Sequence, residues 1–182
     1  MEPRPIAPPS SAKETLRACS AADAPALSLI GQATFLDAFA GRLDGRDVVA
    51  HCRAVHDVAS YETLLADGAA AWLVERADAP VGYAVAIQPP DLPVETSADD
   101  AQLLRIYLLP SARGRGHGAR LMAVVRDWAR ERGAERLFVG VFRGDADAIG
   151  FYERSGFASV GESLFRVGAH SYADSVMMAA TT

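Results

Sequence analysis

Arg113-Gly114-Arg115-Gly116-His117-Gly118 decides how the rest of the chain reads. It stands between a hydrophobic run at residues 102–109 (QLLRIYLL) and an amphipathic run at 118–132. In the second run Leu121, Val124, Val125 and Trp128 share one helical face. Glycines let backbone N–H groups approach a bulky anion without Cβ interference. The helix that follows adds its unpaired amides and the positive end of its dipole. Arg113, Arg115 and Arg120 bring positive charge to an otherwise acidic chain. An ordinary strand–helix connection needs neither the alternating glycines nor their basic neighbours, so the turn reads as a pyrophosphate site. Gly114, Gly116 and Ala119 also fit the G-x-G-x-x-A dinucleotide pattern. A Rossmann unit wants an acid at the end of the next strand, however, and that strand here ends Val141-Phe142-Arg143.

The flanking pattern predicts a first strand at 13–19 and a helix opened by Ser20-x-x-Asp23, a capping-box spacing, running to about Ala40. Further helices are expected at 47–58 and 60–65. Strands at 70–76 and 81–88, joined through Asp78-Ala79-Pro80, give a hairpin signal. Residues 88–100 hold three prolines and four acids and read as a loop. Gly133 closes the helix after the glycine turn. A strand at 135–142, a short helix at 145–155 and a closing antiparallel pair at 157–167 and 172–179 complete the order. It is neither a strict βα alternation nor a run of strands alone, which predicts an α/β domain with a mixed sheet and helices on both faces.

With 182 residues the chain is one domain in size, and 50 % hydrophobic with 23 % charged residues is globular composition. Residues 1–12, rich in proline, read as a flexible N-terminal arm, and 13–182 as the domain. A net charge of -5 argues against a nucleic-acid phosphate track. Lys13 is the sole lysine and lacks P-loop context, which excludes a Walker-type NTPase. Cys19 and Cys52 have no CxxC spacing and read as buried thiols. No HExxH or Cys/His cluster occurs, so no metal is expected. His51 reads as ordinary surface. With no secretory signal and no apolar run near 20 residues, a cytoplasmic protein without membrane contact is expected.

Two motifs make the sequence similar to the GNAT superfamily of acetyl-CoA-dependent N-acetyltransferases. Arg113, Gly116 and Gly118 satisfy its Q/R-x-x-G-x-G/A signature. Asp145-Ala146-Asp147-Ala148-Ile149-Gly150-Phe151-Tyr152-Glu153-Arg154-Ser155-Gly156-Phe157 resembles its N-x-x-A-x-x-F-Y-x-x-x-G-F signature. The resemblance implies a single-domain, mostly antiparallel sheet flanked by helices, with acetyl-CoA as co-substrate. It implies that backbone groups of Ile106, Tyr107 and Leu108 pair with the pantetheine arm. Amides of Gly114, Arg115, Gly116, His117, Gly118 and Ala119 would hold the pyrophosphate. Tyr152 matches the family tyrosine that serves the leaving thiolate, while Phe151 and Phe157 read as core. Asp145 stands where the family has Asn, and an ionised carboxylate only accepts hydrogen bonds. It suits an N-cap equally well, so cofactor contact and capping are both open for it.

An aliphatic ammonium of pKa about 10.4 is only about one part in a thousand neutral at pH 7. Attack on a thioester therefore needs a proton acceptor and support for the oxyanion. Glu75, Asp91 and Glu95 are candidate bases, and a water relay is the alternative. The acceptor is expected to be a small-molecule primary amine. Thr34-Phe35 with Phe39, Arg105-Ile106-Tyr107, Phe165-Arg166-Val167-Gly168, and Asp174 before Val176-Met177 loosely resemble bacterial spermidine/spermine acetyltransferases. The acids of the 88–100 loop also favour a cation, whereas Arg42 and Arg46 suit a carboxylate-bearing acceptor. A catalytically weak acyl-CoA-binding or sensing module, or an enzyme for amino-acid or protein amines, stands as the alternative. A homodimer is left open.

Overall fold

A computed structural model of the chain describes residues 13–181. The expected arm over 1–12 lies outside the described residues. Strand β1 (Glu14–Ala18) leads through a 3-10 turn (Ala21–Asp23) into helices α1 (Ala24–Phe39), α2 (Gly45–Val55) and α3 (Val58–Ala66). Strands β2 (Ala70–Arg76), β3 (Ala79–Ile87) and β4 (Ala101–Leu108) follow, then α4 (His117–Glu131), β5 (Arg136–Phe142), α5 (Ala146–Arg154), β6 (Ala158–Val167) and β7 (His170–Ala180). They form one seven-stranded sheet in the order β1-β2-β3-β4-β5-β7-β6. The α/β class and the mostly antiparallel sheet are those expected.

Local chemistry explains where the boundaries differ. The Ser20 N–H donates to Asp23 Oδ2 at 2.7 Å, and this pair closes the 3-10 turn rather than the long helix. α1 begins after it, with Pro25 in the first turn, where no N–H is needed. Asp44 accepts from the N–H groups of Arg46 and Asp47, so α2 starts at Gly45, ahead of the expected residue 47. Asp57 accepts from Ser60 N–H and starts α3 at Val58. The β2–β3 turn is Ala77-Asp78, at φ 49° and 63°. Two-residue hairpins favour such values, because their twist matches that of the strands.

Helix α4 covers one face of the sheet, laying Leu121, Met122, Val125 and Trp128 on Leu103, Leu137 and Val139. α1 and α3 cover the other, with Leu27, Ile30 and Tyr61 against Leu73, Tyr83 and Val85. Burying each large apolar side chain contributes roughly 1.5–3 kcal/mol. A third cluster of Phe35, Phe39, Val48, Cys52 and Val167 ties α1 and α2 to the β6–β7 hairpin. Cys52 is buried as expected, and Cys19 is only partly covered.

The site is positioned by one break in the sheet. β4 and β5 run parallel and pair only through Ala101–Leu103 against Leu137–Val139. Val85 then faces Arg105 while Ala86 faces Leu103, so Leu104 is an extra residue on the β3 edge of β4. Such a bulge bends the strand. Beyond it β4 stays paired to β3 as far as Leu108, and β5 stays paired to β7 as far as Phe142. The two strands part, and the sheet opens between them.

Ala77 and Asp78 hold the left-handed region without glycine, and both lie at the tip of a hairpin outside that opening. The double substitution Ala77→Asn with Asp78→Gly gives the turn an Asn-Gly pair. It is expected to raise the melting temperature by about 2–4 °C, with activity unchanged. Differential scanning fluorimetry reads this, and an unchanged or lower midpoint would contradict the strain assigned to the turn.

Candidate active site

The glycine turn is exposed, and Gly114 and Gly116 adopt φ of 73° and 79°. Helices α2, α3 and α5 are capped by Asp44, Asp57 and Asp145, whereas α4 has Gly116 at its N-cap and no side-chain cap. Its first amides are left open beside the turn, the arrangement that suits an anion. Arg115, Ala119 and Arg120 are exposed around them. Arg113 is a brace, donating from Nη2 to Asp37 at 2.6 Å and from Nε to the Leu108 carbonyl at 3.2 Å. His117 turns inward, with Nε2 3.1 Å from Glu14 Oε2 on β1, and so presents only its main chain to the turn. The Arg76 hydrogen bond is the largest influence holding the Glu14 carboxyl below its usual range. Gly118 also faces inward, and a Cβ there would stand 3.3 Å from the Phe151 ring.

Where β4 and β5 part lies a cavity of about 380 Å³. Strand alternation gives it two kinds of wall. Ile106, Val139, Val141, Ala148 and Tyr152 come from the α4–α5 face. Tyr107, Phe142, Phe35, Phe39 and Phe165 come from the α1–α2 face. Tyr152 is buried, its ring 5.4 Å from that of Phe151 and 5.6 Å from that of Phe157. Burial pushes its hydroxyl pKa well above the usual range. Leu108 packs with the α4 core outside the cavity wall. Asp145 lines the cavity and uses both carboxylate oxygens, Oδ1 accepting from Ala148 N–H at 3.1 Å and Oδ2 pairing with Arg42 at 3.2 Å.

Of the expected bases, Glu75 is excluded. It lies at the β1–β2 end of the sheet, held by Arg17 at 2.9 Å. Asp91 lines the cavity, and Glu95 does not. His51 is no surface residue. It forms part of the wall, its ring stacked 4.4 Å from Phe35. Burial, reinforced by the Arg105 charge, lowers the pKa of His51 to about 4 and that of His56 to about 3, so both are neutral near pH 7.

Two wall residues escaped the sequence reading as chemistry. Arg105 donates from Nη2 to the Val55 carbonyl at 3.3 Å and lies 5.0 Å over the Tyr61 ring. Its buried Nη1 has no hydrogen-bond partner among the described residues. Asp174 is 8 % exposed, and its Oδ1 likewise lacks a partner there. The alternation Tyr172, Asp174, Val176 on β7 was the available signal, a carboxylate in the buried register of a strand. Among the described residues, no cluster of three or more His, Cys, Asp or Glu could hold a metal, and no helix is long and apolar enough to cross a membrane.

Comparison with known proteins agrees with this geometry. Residues 38–157 match the acetyltransferase (GNAT) family. An uncharacterised N-acetyltransferase of Mycobacterium tuberculosis is 38% identical over 121 residues, covering 66% of this chain and 73% of the relative. The crystal structure of PaiA N-acetyltransferase from Thermoplasma acidophilum in complex with coenzyme A superposes with a TM-score of 0.75. It has 16% identity and covers 92% of this chain and 99% of that one. A ribosomal-protein-alanine N-acetyltransferase from Brucella melitensis gives 0.69 at 26% identity, over 91% of this chain and 99% of the other. With the family match spanning the glycine turn, the parted strands and Tyr152, this chain belongs to the GNAT family and is an N-acetyltransferase.

Proposed function

We propose that the protein transfers the acetyl group of acetyl-CoA directly to the primary amine of a small molecule in a ternary complex. The observation that carries this is the cavity between β4 and β5, which is lined by side chains from both faces of the sheet and has Tyr152 in its wall. The amides of residues 114–119 would grip the pyrophosphate. The edge of β4 at Ile106, Tyr107 and Leu108, released from β5, would pair with the pantetheine arm as an added strand would. A backbone N–H near Leu108 would support the oxyanion. Burial keeps the Tyr152 phenol protonated across the physiological range, the form that donates to a departing thiolate. A cytoplasmic setting fits this chemistry.

Two acceptor classes have support. A polyamine-type cation is favoured by Asp91 and Asp174 in the wall. The neighbouring loop contributes less negative field than its composition suggests, because Arg136 holds Asp100 at 2.6 and 3.0 Å. A carboxylate-bearing amine, such as an amino acid, is favoured by Arg105, whose Nη1 is unpaired. Arg42 and Arg46 do not supply that selection. Arg42 is engaged by Asp145 and the Gly144 carbonyl, and Arg46 lies outside the cavity.

Tyr152→Phe is expected to lower kcat by about a hundredfold or more while the acetyl-CoA Kd stays within about twofold. Stopped thiol-release assays and titration calorimetry read the two quantities. A loss under threefold would reduce Tyr152 to packing, and acetyl-CoA binding without turnover of any amine would favour the sensing module. Gly116→Ala should weaken acetyl-CoA at least tenfold by straining the turn. Gly133→Ala carries the same left-handed strain at the far end of α4 and should leave the Kd unchanged. Equal effects would remove the turn from the cofactor site. For the acceptor, spermidine, spermine, an aminoglycoside and free amino acids are compared in the wild type and in Arg105→Gln. A carboxylate-selecting Arg105 raises KM for amino acids at least tenfold when removed. If polyamines are acetylated and are indifferent to the change, the cationic reading stands.

A further inference from the structure

We propose that Asp174 is the proton acceptor for the acceptor ammonium, a role that rests on the transferase reading above. Its position is built into the sheet. β7 is paired on both sides, with Asp174 opposite Phe142 of β5 and Ser163 of β6, so its backbone is fixed. It shares a face with Phe142 and Tyr172, which pack toward α1 and α2, whereas Tyr152 belongs to the α4–α5 face. Donor and acceptor of protons thus flank the opening from opposite sides of the sheet.

Gly140 of β5 lies beside the carboxylate. A Cβ at that position would stand 3.6 Å from Asp174 Oδ2 and 3.8 Å from Leu92. Oδ2 therefore lies over a strand position without a side chain, and Oδ1 is buried with no hydrogen-bond partner among the described residues. A buried carboxylate without a partner is costly to keep charged. Desolvation raises its pKa to about 6, which leaves it mostly ionised at pH 7 yet basic enough to take a proton.

The other titratable groups facing the cavity do not fill this role. Asp145 is engaged by Arg42 and the α5 cap. His51 and His56 are held far below neutrality, and His56 Nδ1 is bonded to the Tyr61 hydroxyl at 2.9 Å. Tyr107 and Tyr152 are kept protonated by burial, and Arg105 is a cation. Asp91 stands in the mouth loop, outside the paired strands.

One ammonium proton passes to Asp174 and then to solvent. The neutral nitrogen attacks the thioester carbonyl carbon, forming the C–N bond. As the C–S bond breaks, Tyr152 protonates the sulfur, and the phenol regains its proton from the amide nitrogen. The products are the N-acetyl amine, CoA thiol and one released proton.

The test is Asp174→Asn in the full chain, assayed from pH 5.5 to 10 with whichever of spermidine, spermine and L-lysine the wild type acetylates fastest. Expected at pH 7 is a loss of kcat of about a hundredfold or more. The loss shrinks below tenfold near pH 10, where the amine is neutral without help. The wild-type rise in kcat/KM through about pH 6 disappears in the variant. Acetyl-CoA affinity is unchanged. Stability moves the opposite way. A carboxyl whose pKa is raised by folding contributes most below its unfolded value near 3.9, and that contribution is lost as pH rises through about 6. Asn resembles the protonated form, so the variant should melt above wild type at pH 8 and equal to it below about pH 4. Undiminished turnover at pH 7, a pH-independent defect, or an unfolded variant would each mark Asp174 as structural and overturn the proposal. A wild type that binds acetyl-CoA but acetylates no amine overturns the transferase reading, and this role with it.

Discussion

The parallel contact between β4 and β5, three residue pairs long, is the constraint on which the site depends. A longer contact would close the sheet and fill the cavity with backbone hydrogen bonds. A shorter one would leave α4 without the shared floor of Leu103, Leu137 and Val139 on which it packs. Leu104 shifts the register of β4 against β3 where the contact ends, and β5 stays paired to β7 on its other edge from Arg136 to Phe142. Each strand therefore keeps one fully paired edge, and only the facing edges are free. An extended ligand such as a pantetheine arm can satisfy backbone groups there that would otherwise be orphaned.

Around that opening the structure keeps unpaired charge under cover. Arg105 Nη1 and Asp174 Oδ1 are both buried without hydrogen-bond partners among the described residues. Other charged groups near it are tied down, Asp145 by Arg42, Arg113 by Asp37 and Asp100 by Arg136. Unsatisfied polar groups in an interior typically cost about 1–3 kcal/mol each. Sites that bind and react are where such costs persist, because a satisfied group has nothing left to offer a substrate.

The architecture was legible wherever local chemistry and periodicity agreed. The glycine turn, the apolar stripe Leu121, Val125 and Trp128, and the closing strands all fell close to where they were expected. Start sites moved where a capping aspartate outweighed periodicity, as Asp44 does at α2. His51 was misjudged because a single histidine on a polar helix gives no sign that Phe35 and Phe165 will cover it from other elements. Glu75 looked available because its partner Arg17 is distant in sequence and reaches it only through the β1–β2 pairing. Asp174 and Arg105 needed the sheet order, since the opening they face is made by strands far apart in the chain.

The central claim is that acetyl-CoA enters the gap between β4 and β5. A crystal structure of the chain with bound CoA tests it most directly. The account predicts the pyrophosphate on the amides of residues 114–119, the pantetheine paired along β4 at Ile106–Leu108, and the sulfur within hydrogen-bond reach of the Tyr152 hydroxyl. Asp174 should lie across the opening from that sulfur. Ordered CoA elsewhere on the surface, or in the gap with its sulfur turned away from Tyr152, would contradict it.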